Sequence, residues 1–437
     1  MNFSETLTFS GCAEFSPDST YLALSRSANL NIYSSKSAEL YTSWNIADVP
    51  SSISWSPNSE MVFTTHSKRN LILVFSVKSR ECSARITASS YGITGVWWTP
   101  DSRFICAVTD YQLRLSAWSL ADSTVYHIKN PKFEDRGYSF TSDHKFMLLA
   151  EKSECKDYIG IYFMGDWSAV NHFLVDTFDL EDARWANDTA IVVVDTCLVY
   201  QLLIYSPMGN LLARHRPYDN GLGIKTLSIS PNKSYLGVGS YDQSLRLFSK
   251  ISWIFVSELK HESPSNCHFY REEEYKEGFT DDRLYGRFVV QDPPEKLPSV
   301  KVPKDKPNPP TCISFCEWSC NSAYIASKNE TNPNCLWIWK LSNLSLCALT
   351  LQTQGVKHLE WSPKSLHLAF CTGTGRLFFW STEGASVCEV PLESKDFKVN
   401  KFKWAPDGST LLIIDKNKCM LGFPKFDILD ASSENYF

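Results

Sequence analysis

Residues 227–248 read LSISPNKSYLGVGSYDQSLRLF, which is the pattern of three short strands joined by two turns. The first and last parts alternate apolar and polar residues, as half-buried strands do, and the small apolar run 235–239 suits a strand packed on both faces. Ser230-Pro231-Asn232 is turn chemistry, because proline presets φ and the asparagine side chain bonds to the nearby backbone. The stretch therefore predicts an antiparallel meander, with a fourth strand in the residues that lead to the next unit.

The turn and the residue before it recur nine times along the 437 residues. Each copy has an aromatic or aliphatic anchor, then Ser, Thr or Ala, then proline or a substitute, and then a polar residue. The copies are Phe15-Ser16-Pro17-Asp18, Trp55-Ser56-Pro57-Asn58, Trp98-Thr99-Pro100-Asp101, Phe140-Thr141-Ser142-Asp143, Trp185-Ala186-Asn187-Asp188, Ile229-Ser230-Pro231-Asn232, Trp318-Ser319-Cys320-Asn321, Trp361-Ser362-Pro363-Lys364 and Trp404-Ala405-Pro406-Asp407. Their third residues lie 40 to 45 residues apart, except for one gap of 89.

Four short strands in a repeat of this length are typical of a WD-type β-propeller. A helical solenoid would need long amphipathic stretches, which the sequence lacks. We therefore expect an all-β fold in which residues 1–437 form a single nine-bladed ring. The alternatives are a seven-bladed ring with two extra blade-like units, and an open arc of nine units. The predicted structural anchors are Phe15, Trp55, Trp98, Phe140, Trp185, Trp318, Trp361, Trp404 and Asp242.

Two further features fit degenerate WD repeats. Asp242 lies in the tight turn where such repeats often carry an aspartate, and its carboxylate is expected to accept hydrogen bonds from turn N–H groups. The aromatic residue that ends the third strand persists, as in Trp339 and Trp380, while the usual aspartate after it is missing. The alternating N-terminal stretch 2–9 is expected to supply the outer strand of the last blade and so cover an exposed edge.

Composition limits the possible partners and location. The net charge of −5 and the pI near 6.0 disfavour nucleic acid as the main partner, because such binding neutralises phosphates. The sequence shows no secretory signal and no apolar run of about 18 residues, so we expect a cytoplasmic protein that does not cross a membrane. The 14 cysteines are interpreted as small buried hydrophobic residues, for example Cys106, Cys197, Cys335, Cys371 and Cys388.

Residues 260–310 do not follow the repeat and fall between repeats six and seven. They hold six acids between residues 271 and 282 and seven prolines between residues 291 and 310. So polar a segment is expected to be a flexible insertion, because it cannot bury enough apolar surface to fold alone. It is either a tolerated surface insertion or a segment that binds a partner through Tyr275, Phe279 and Tyr285.

The sequence contains no recognisable phosphate-binding, hydrolase or zinc-protease motif, and we predict no catalytic, cofactor or metal site. Residues 221–226 superficially resemble a phosphate loop, but they lack the Gly-Lys pair and precede a strand. Cys312, Cys316 and Cys320 recur every four residues, without the close pairs and histidine partners that zinc sites use.

The stretches to compare with known families are Met1–Glu5, Cys155–Tyr158, Val194–Leu198, Leu203–Ser206, Leu222–Lys225, Gly239–Asp242 and Asn334–Trp339, of which Cys155–Tyr158 and residues 195–198 are not generic propeller sequence. Through them the chain resembles a family of centrosomal and spindle-pole WD-repeat proteins, one of which is named for lying antisense to a tumour-suppressor gene. The match spans the repeat region in order. The family's insertion also follows the sixth unit, although its sequence here is different.

The resemblance implies a non-enzymatic scaffold of the cytoplasm and cytoskeleton, at the centrosome or spindle pole body. Such a scaffold binds partner proteins, anchors microtubule minus ends and organises the mitotic spindle. The implied partners are a coiled-coil anchoring protein and, in some lineages, a minus-end-directed kinesin. The alternative is a translation-initiation propeller that associates with the ribosome or RNA, which the acidic balance disfavours. The repeats alone indicate a rigid platform whose loops bind other proteins.

Overall fold

The computed structural model describes residues 1–46, 48–87, 92–262, 267–276, 284–301, 311–391 and 397–425. Across these ranges the chain forms nine sheets, each built on an antiparallel meander in sequence order. Each sheet corresponds to one repeat, so the all-β, nine-bladed propeller is confirmed. A seven-bladed ring with two loose units is excluded, because all nine sheets contain a meander of at least three consecutive strands. No helix in the described ranges is long and apolar enough to cross a membrane.

The first of two compact units consists of Phe9–Ser34 and Glu39–Ile224 and contains blades 1 to 5. It also contains two short 3-10 turns, Ser67–Arg69 and Asp110–Gln112. Its strands are β3 Ala13–Phe15, β4 Tyr21–Arg26, β5 Asn29–Ser34 and β6 Leu40–Asn45; β7 Ser52–Trp55, β8 Met61–His66, β9 Leu71–Ser76 and β10 Glu81–Thr87; β11 Ile93–Trp98, β12 Phe104–Thr109, β13 Arg114–Ser119 and β14 Val125–Lys129; β15 Tyr138–Phe140, β16 Phe146–Ser153, β17 Lys156–Phe163 and β18 Ser168–Leu174; β19 Leu180–Asn187, β20 Ala190–Asp195, β21 Leu202–Tyr205 and β22 Leu211–His215.

The second unit consists of Met1–Thr8, Ser35–Ala38 and Lys225–Phe437 and contains blades 6 to 9. Its strands are β1 Asn2–Phe3 and β2 Leu7–Thr8; β23 Ile224–Ile229, β24 Tyr235–Ser240, β25 Ser244–Ser249 and β26 Phe255–Lys260; β27 His268–Lys276 and β28 Leu284–Gln291; β29 Ile313–Trp318, β30 Tyr324–Asn329, β31 Cys335–Lys340 and β32 Ser345–Leu351; β33 His358–Trp361, β34 Leu368–Cys371, β35 Arg376–Ser381 and β36 Gly384–Glu389; β37 Lys401–Trp404, β38 Leu411–Ile414 and β39 Lys418–Phe423.

The last blade takes its outer strand from the start of the chain, as the sequence predicts. Strands β1 and β2 both pair antiparallel with β39, so that Asn2 lies opposite Phe423 and Leu7 lies opposite Cys419. The pairing is made by two short strands rather than by one continuous strand. It covers an edge of β39 that would otherwise present unpaired N–H and C=O groups.

The recurring turn joins the first and second strands of each blade through its own side chains. In blade 1, Ser16 Oγ donates to Asp18 Oδ1 (2.5 Å) and accepts from the backbone N–H of Tyr21 (2.9 Å). Ser19, with φ of 62°, completes the turn in the left-handed region. The same Ser/Thr to Asp/Asn bond recurs at Ser56–Asn58, Thr99–Asp101, Thr141–Asp143, Ser230–Asn232 and Ser319–Asn321.

Several tryptophan anchors bond to the blade that precedes their own. The indole N–H of Trp55 donates to the main-chain oxygen of Glu14 (3.0 Å), and that of Trp361 donates to the oxygen of Glu317 (3.0 Å). The hydrophobic clusters of each unit likewise lie between consecutive sheets. The structure buries Phe15, Trp55, Trp98, Trp185, Trp318, Trp361 and Trp404 and half-buries Phe140.

The prediction of a flexible segment over 260–310 is wrong for part of that range. Strands β27 and β28 form an antiparallel hairpin, and β27 pairs in parallel with β32, which extends blade 7 to six strands. The hairpin is ordered because it packs against blades 7 and 8 and does not have to fold in isolation. Phe269 is buried in the core of blade 7, and the ring of Phe288 lies 5.7 Å from that of Phe378 in blade 8.

A buried ionic network holds the hairpin against blade 8. The guanidinium of Arg376 bonds to Glu272 Oε1 (3.1 Å), Glu274 Oε1 (2.7 Å) and Glu389 Oε1 (2.9 Å). The second carboxylate oxygen of Glu272 accepts the N–H of Thr353 (2.8 Å). The Glu272 side chain is 0% exposed, so the acidic run that suggested a solvated loop instead supplies a buried partner for an arginine.

We expect Trp361→Ala to reduce the free energy of unfolding by about 3–5 kcal/mol, because it removes a buried indole between two blades and its hydrogen bond. Urea denaturation followed by tryptophan fluorescence and by circular dichroism measures the change. The matched control is Tyr111→Ala, which removes an exposed ring and is expected to cost less than about 0.5 kcal/mol. A loss below about 1 kcal/mol at Trp361 would contradict the anchor role.

We expect Arg376→Met to destabilise the hairpin region by about 3–5 kcal/mol, because it leaves the carboxylate of Glu272 buried without its cation. Hydrogen exchange of the β27 and β28 amides, measured by mass spectrometry, should accelerate more than exchange in the core strands of blade 5. The double variant Glu272→Gln with Arg376→Met removes the stranded charge and should recover part of the loss. Unchanged exchange in Arg376→Met would show that apolar packing alone holds the hairpin.

Candidate functional site

Two of the three aromatic residues predicted to bind a partner meet on the hairpin. Tyr275 on β27 lies opposite Tyr285 on β28, with ring centroids 6.0 Å apart, and the guanidinium of Arg287 lies 5.5 Å from the Tyr275 ring. Phe279 lies outside the described residues. Tyr and Arg side chains are common at protein interfaces, but here they stack mainly on one another.

The Asp242 side chain forms hydrogen bonds within its own blade. Its Oδ1 accepts the N–H of Ser244 (3.2 Å) and a bond from the Ser240 hydroxyl, and its Oδ2 pairs with Arg246 (2.5 Å). Arg246 also bonds to Glu258 (2.6 Å), so the carboxylate belongs to a network within blade 6.

The cysteines singled out by their spacing do not converge on a metal. Cys312 and Cys316 are buried, and Cys316 Sγ lies 2.9 Å from Ser228 Oγ, while Cys320 occupies the turn. In the part of the chain that the structure describes, no three His, Cys, Asp or Glu side chains cluster as metal ligands would. Of the cysteines expected in the core, Cys106, Cys335 and Cys371 are buried, while Cys197 and Cys388 are half-buried.

Three of the stretches that carry the family resemblance come together at one place in the first unit. Two of them, Cys155–Tyr158 and Val194–Leu198, hold residues 175–180, which comprise the connection between β18 and β19 and the first residue of β19. We call residues 175–180 the Phe178 loop. Asp157 Oδ2 accepts the N–H of Leu180 (2.6 Å) and the hydroxyl of Thr177 (3.0 Å). Asp195 Oδ1 accepts the N–H groups of Phe178 (3.1 Å) and Asp179 (3.0 Å). Two carboxylates from neighbouring blades thus fix a single loop.

Charged side chains complete the hold on the Phe178 loop. Lys132 Nζ bonds to both Asp157 Oδ1 (2.7 Å) and Asp179 Oδ1 (2.7 Å), and Lys152 Nζ also bonds to Asp179 (2.9 Å). The hydrogen bonds from Lys132 and Lys152 lower the pKa of Asp179 below its usual value. Arg214 pairs with Asp176 at the other end of the loop. The exposed acids of the loop are therefore neutralised by neighbouring cations.

The third stretch, Leu222–Lys225, contacts the loop that follows β20. Gly223 N–H donates to the main-chain oxygen of Cys197 (2.8 Å), and a Cβ on Gly223 would lie 2.1 Å from the oxygen of Val199. Only glycine allows so close an approach of two backbones. This contact fixes the segment that carries Leu198, directly after the Asp195 carboxylate.

The result is two loops fixed by hydrogen bonds, each of which presents one apolar side chain to solvent. Phe178 is 75% exposed and Leu198 is 70% exposed, although the carboxylate residue that fixes both segments, Asp195, is fully buried. Val175 and Leu180, at the two ends of the loop, are buried between blades 4 and 5. Such an arrangement supplies a preorganised apolar contact rather than a reacting group.

Neither Phe178 nor Leu198 was predicted as a site residue from the sequence. The available signal was that Cys155–Tyr158 and Val194–Leu198 are not generic propeller sequence, which pointed to these positions without indicating their role. The loop itself carries no motif, because its geometry is set by carboxylates that lie about 20 residues before it and after it in sequence.

The sequence is similar to known WD-repeat proteins. The family described as WD domain, G-beta repeat matches residues 209–249. WD repeat-containing protein WRAP73 of Mus musculus is 32% identical over 445 residues, covering 97% of this chain and 96% of the mouse protein. An uncharacterized WD repeat-containing protein of Schizosaccharomyces pombe is 22% identical over 360 residues, covering 76% of this chain and 71% of the yeast protein.

Solved structures share the fold at low identity. A crystal structure of a eukaryotic initiation factor matches with a TM-score of 0.59 and 12% identity, covering 86% of this chain and 87% of the other. The C-terminal WD40 domain of Sif2 matches with a TM-score of 0.54 and 12% identity, covering 86% and 96%. These two likenesses show the propeller fold alone. The near full-length identity to the mouse protein shows more: this chain belongs to the WD-repeat family of WD repeat-containing protein WRAP73.

Proposed function

We propose that this chain is a non-enzymatic scaffold at the centrosome or spindle pole body. It binds partner proteins there, anchors microtubule minus ends and so helps to organise the mitotic spindle. The partners we propose are a coiled-coil anchoring protein and a minus-end-directed kinesin, both met in the cytoplasm and cytoskeleton. WD40 propellers are typically non-catalytic interaction scaffolds, and the membership in the WRAP73 family supports the proposal.

The observation that carries the proposal is the Phe178 loop. An exposed phenylalanine is costly to keep in water, and here buried carboxylates hold its backbone in one conformation. Fixing an apolar side chain before binding removes part of the entropy that association would otherwise lose. Interface energy is concentrated in a few aromatic and apolar anchors surrounded by polar groups, which is the arrangement around Phe178. We infer that this loop binds the coiled-coil partner.

The test compares tagged chains in mitotic cells. The unmodified chain should concentrate at spindle poles and recover the coiled-coil partner on affinity purification. The variant Phe178→Ser with Leu198→Ser should bind the purified partner about 30-fold more weakly, as expected for the loss of about 2 kcal/mol at an anchor. The matched control is Ile251→Ser, which removes an 88% exposed apolar residue in the second unit and should leave binding unchanged.

Uniform cytosolic staining through mitosis, without spindle-pole partners, would contradict the scaffold function itself. Equal binding by the Phe178 variant and the Ile251 control would instead remove the loop from the proposal. Sedimentation with ribosomal subunits that weakens steeply with salt would favour the translation-initiation alternative.

A second prediction separates the apolar contact from its positioning. We expect Asp195→Ala to weaken partner binding about tenfold or more, although the Phe178 and Leu198 side chains themselves are not mutated. The reason is that the loop loses its carboxylate acceptor and becomes mobile. Hydrogen exchange at the amides of residues 178 and 179 should accelerate in the same variant. Faster exchange with unchanged affinity would show that a fixed loop is not required for binding.

A further inference from the structure

Six lysines gather at one edge of blades 8 and 9. Lys357 directly precedes β33, Lys398 and Lys401 lie just before and at the start of β37, and Lys416 and Lys418 form the turn from β38 to β39. In an antiparallel meander, the start of the first strand and the end of the second lie at the same edge. Lys403, two residues along β37, is the sixth member of this group, which we call the lysine surface.

Direct contacts join the loops that carry these lysines. Lys357 Nζ donates to Asn400 Oδ1 (3.2 Å), and Asn400 Nδ2 donates to Asp415 Oδ1 (2.9 Å). The backbone N–H of Asn400 also donates to the oxygen of Ile414 (3.1 Å). The lysines of blade 8 and those of blade 9 therefore belong to one continuous surface.

Among the described residues, the lysine surface carries more positive than negative charge. None of the six lysines forms an ion pair with a described carboxylate, whereas Lys132 and Lys152 both pair with Asp179 in the first unit. In the described residues 352–357, 397–400 and 415–418, which carry four of the lysines, the one carboxylate is Asp415, and it accepts a hydrogen bond from Asn400. Burial raises the pKa of Glu360 on β33 to about 7, so its carboxyl group is only partly ionised near neutrality.

The described residues around the lysine surface expose no large apolar side chain. All the large hydrophobic side chains that are exposed in the described ranges lie at or before Val300, and none lies in residues 311–391 or 397–425. Insertion into a membrane needs an apolar anchor in addition to basic residues. Binding of single-stranded nucleic acid uses aromatic rings that stack on bases. The lysine surface lacks both features, which leaves a partner recognised through its charge.

We propose that the lysine surface binds an acidic polypeptide segment of a partner protein, through contacts between ammonium groups and carboxylates. The inference rests on the proposed scaffold function and adds a second partner site of different chemistry. Four of the six lysines are exposed and carry flexible side chains, so they suit a run of carboxylates rather than one fixed geometry. A surface of one charge also speeds the association of an oppositely charged chain.

The test uses the purified full-length chain and a fluorescein-labelled peptide of ten glutamates, with binding measured by fluorescence anisotropy. We expect saturable binding that weakens strongly between about 0.1 M and about 1 M NaCl, where the screening length falls from about 10 Å to about 3 Å. The variant Lys398→Glu with Lys416→Glu reverses two exposed charges and should raise Kd by about 10- to 100-fold.

The matched control is Lys340→Glu with Lys364→Glu, which changes the net charge equally at exposed lysines outside the lysine surface. It should leave Kd within about twofold. Thermal unfolding and circular dichroism of both variants establish that they fold. A labelled DNA duplex and phosphatidylserine vesicles are tested in parallel at the same salt concentration.

No detectable peptide binding, or an equal loss in both variants, would overturn the proposal. Tighter binding of the duplex or the vesicles than of the peptide would overturn it as well, in favour of nucleic acid or membrane. Because the assay uses purified components, its failure is separate from failure of the scaffold function, which is read from localisation and partner recovery in cells.

Discussion

Each sheet of this chain is apolar on both faces, and within each unit it is buried by the sheets that precede and follow it in sequence. The tryptophan anchors make this dependence specific, because the indole N–H of Trp55 reaches the main chain of blade 1 and that of Trp404 reaches the main chain of blade 8. Each of these two anchors thus fills space and satisfies its own polar atom in one contact. The loops are held in place only because this stack of faces is rigid.

The parts of the fold that depend on nearby residues could be predicted from the sequence. The turn after each first strand is closed by side chains within five residues of one another, as Ser16, Asp18 and Tyr21 show. The hairpin of the insertion could not be predicted, because the charge of Glu272 is balanced by Arg376, 104 residues later. Composition described the acidic run correctly as polar, but it could not reveal a distant cation that allows burial.

The Phe178 loop could not be predicted from the sequence for the same reason. Its sequence carries no turn motif, and its conformation is imposed by Asp157 and Asp195 from the blades on either side. A buried carboxylate that accepts several N–H groups can fix an irregular backbone as firmly as a strand partner would. Glu272 acts similarly toward Thr353 and the hairpin. In both units, buried acids hold segments outside the regular sheets.

The two proposed contact surfaces differ in their physical basis, and this difference has a consequence for binding. Contact through Phe178 gains free energy by removing apolar area from water, which depends little on moderate salt. Contact through the lysine surface gains free energy from charge, which salt screens and which acts over a longer range. The two kinds of contact therefore act on different rate constants, because long-range charge raises the rate of association whereas apolar burial lowers the rate of dissociation.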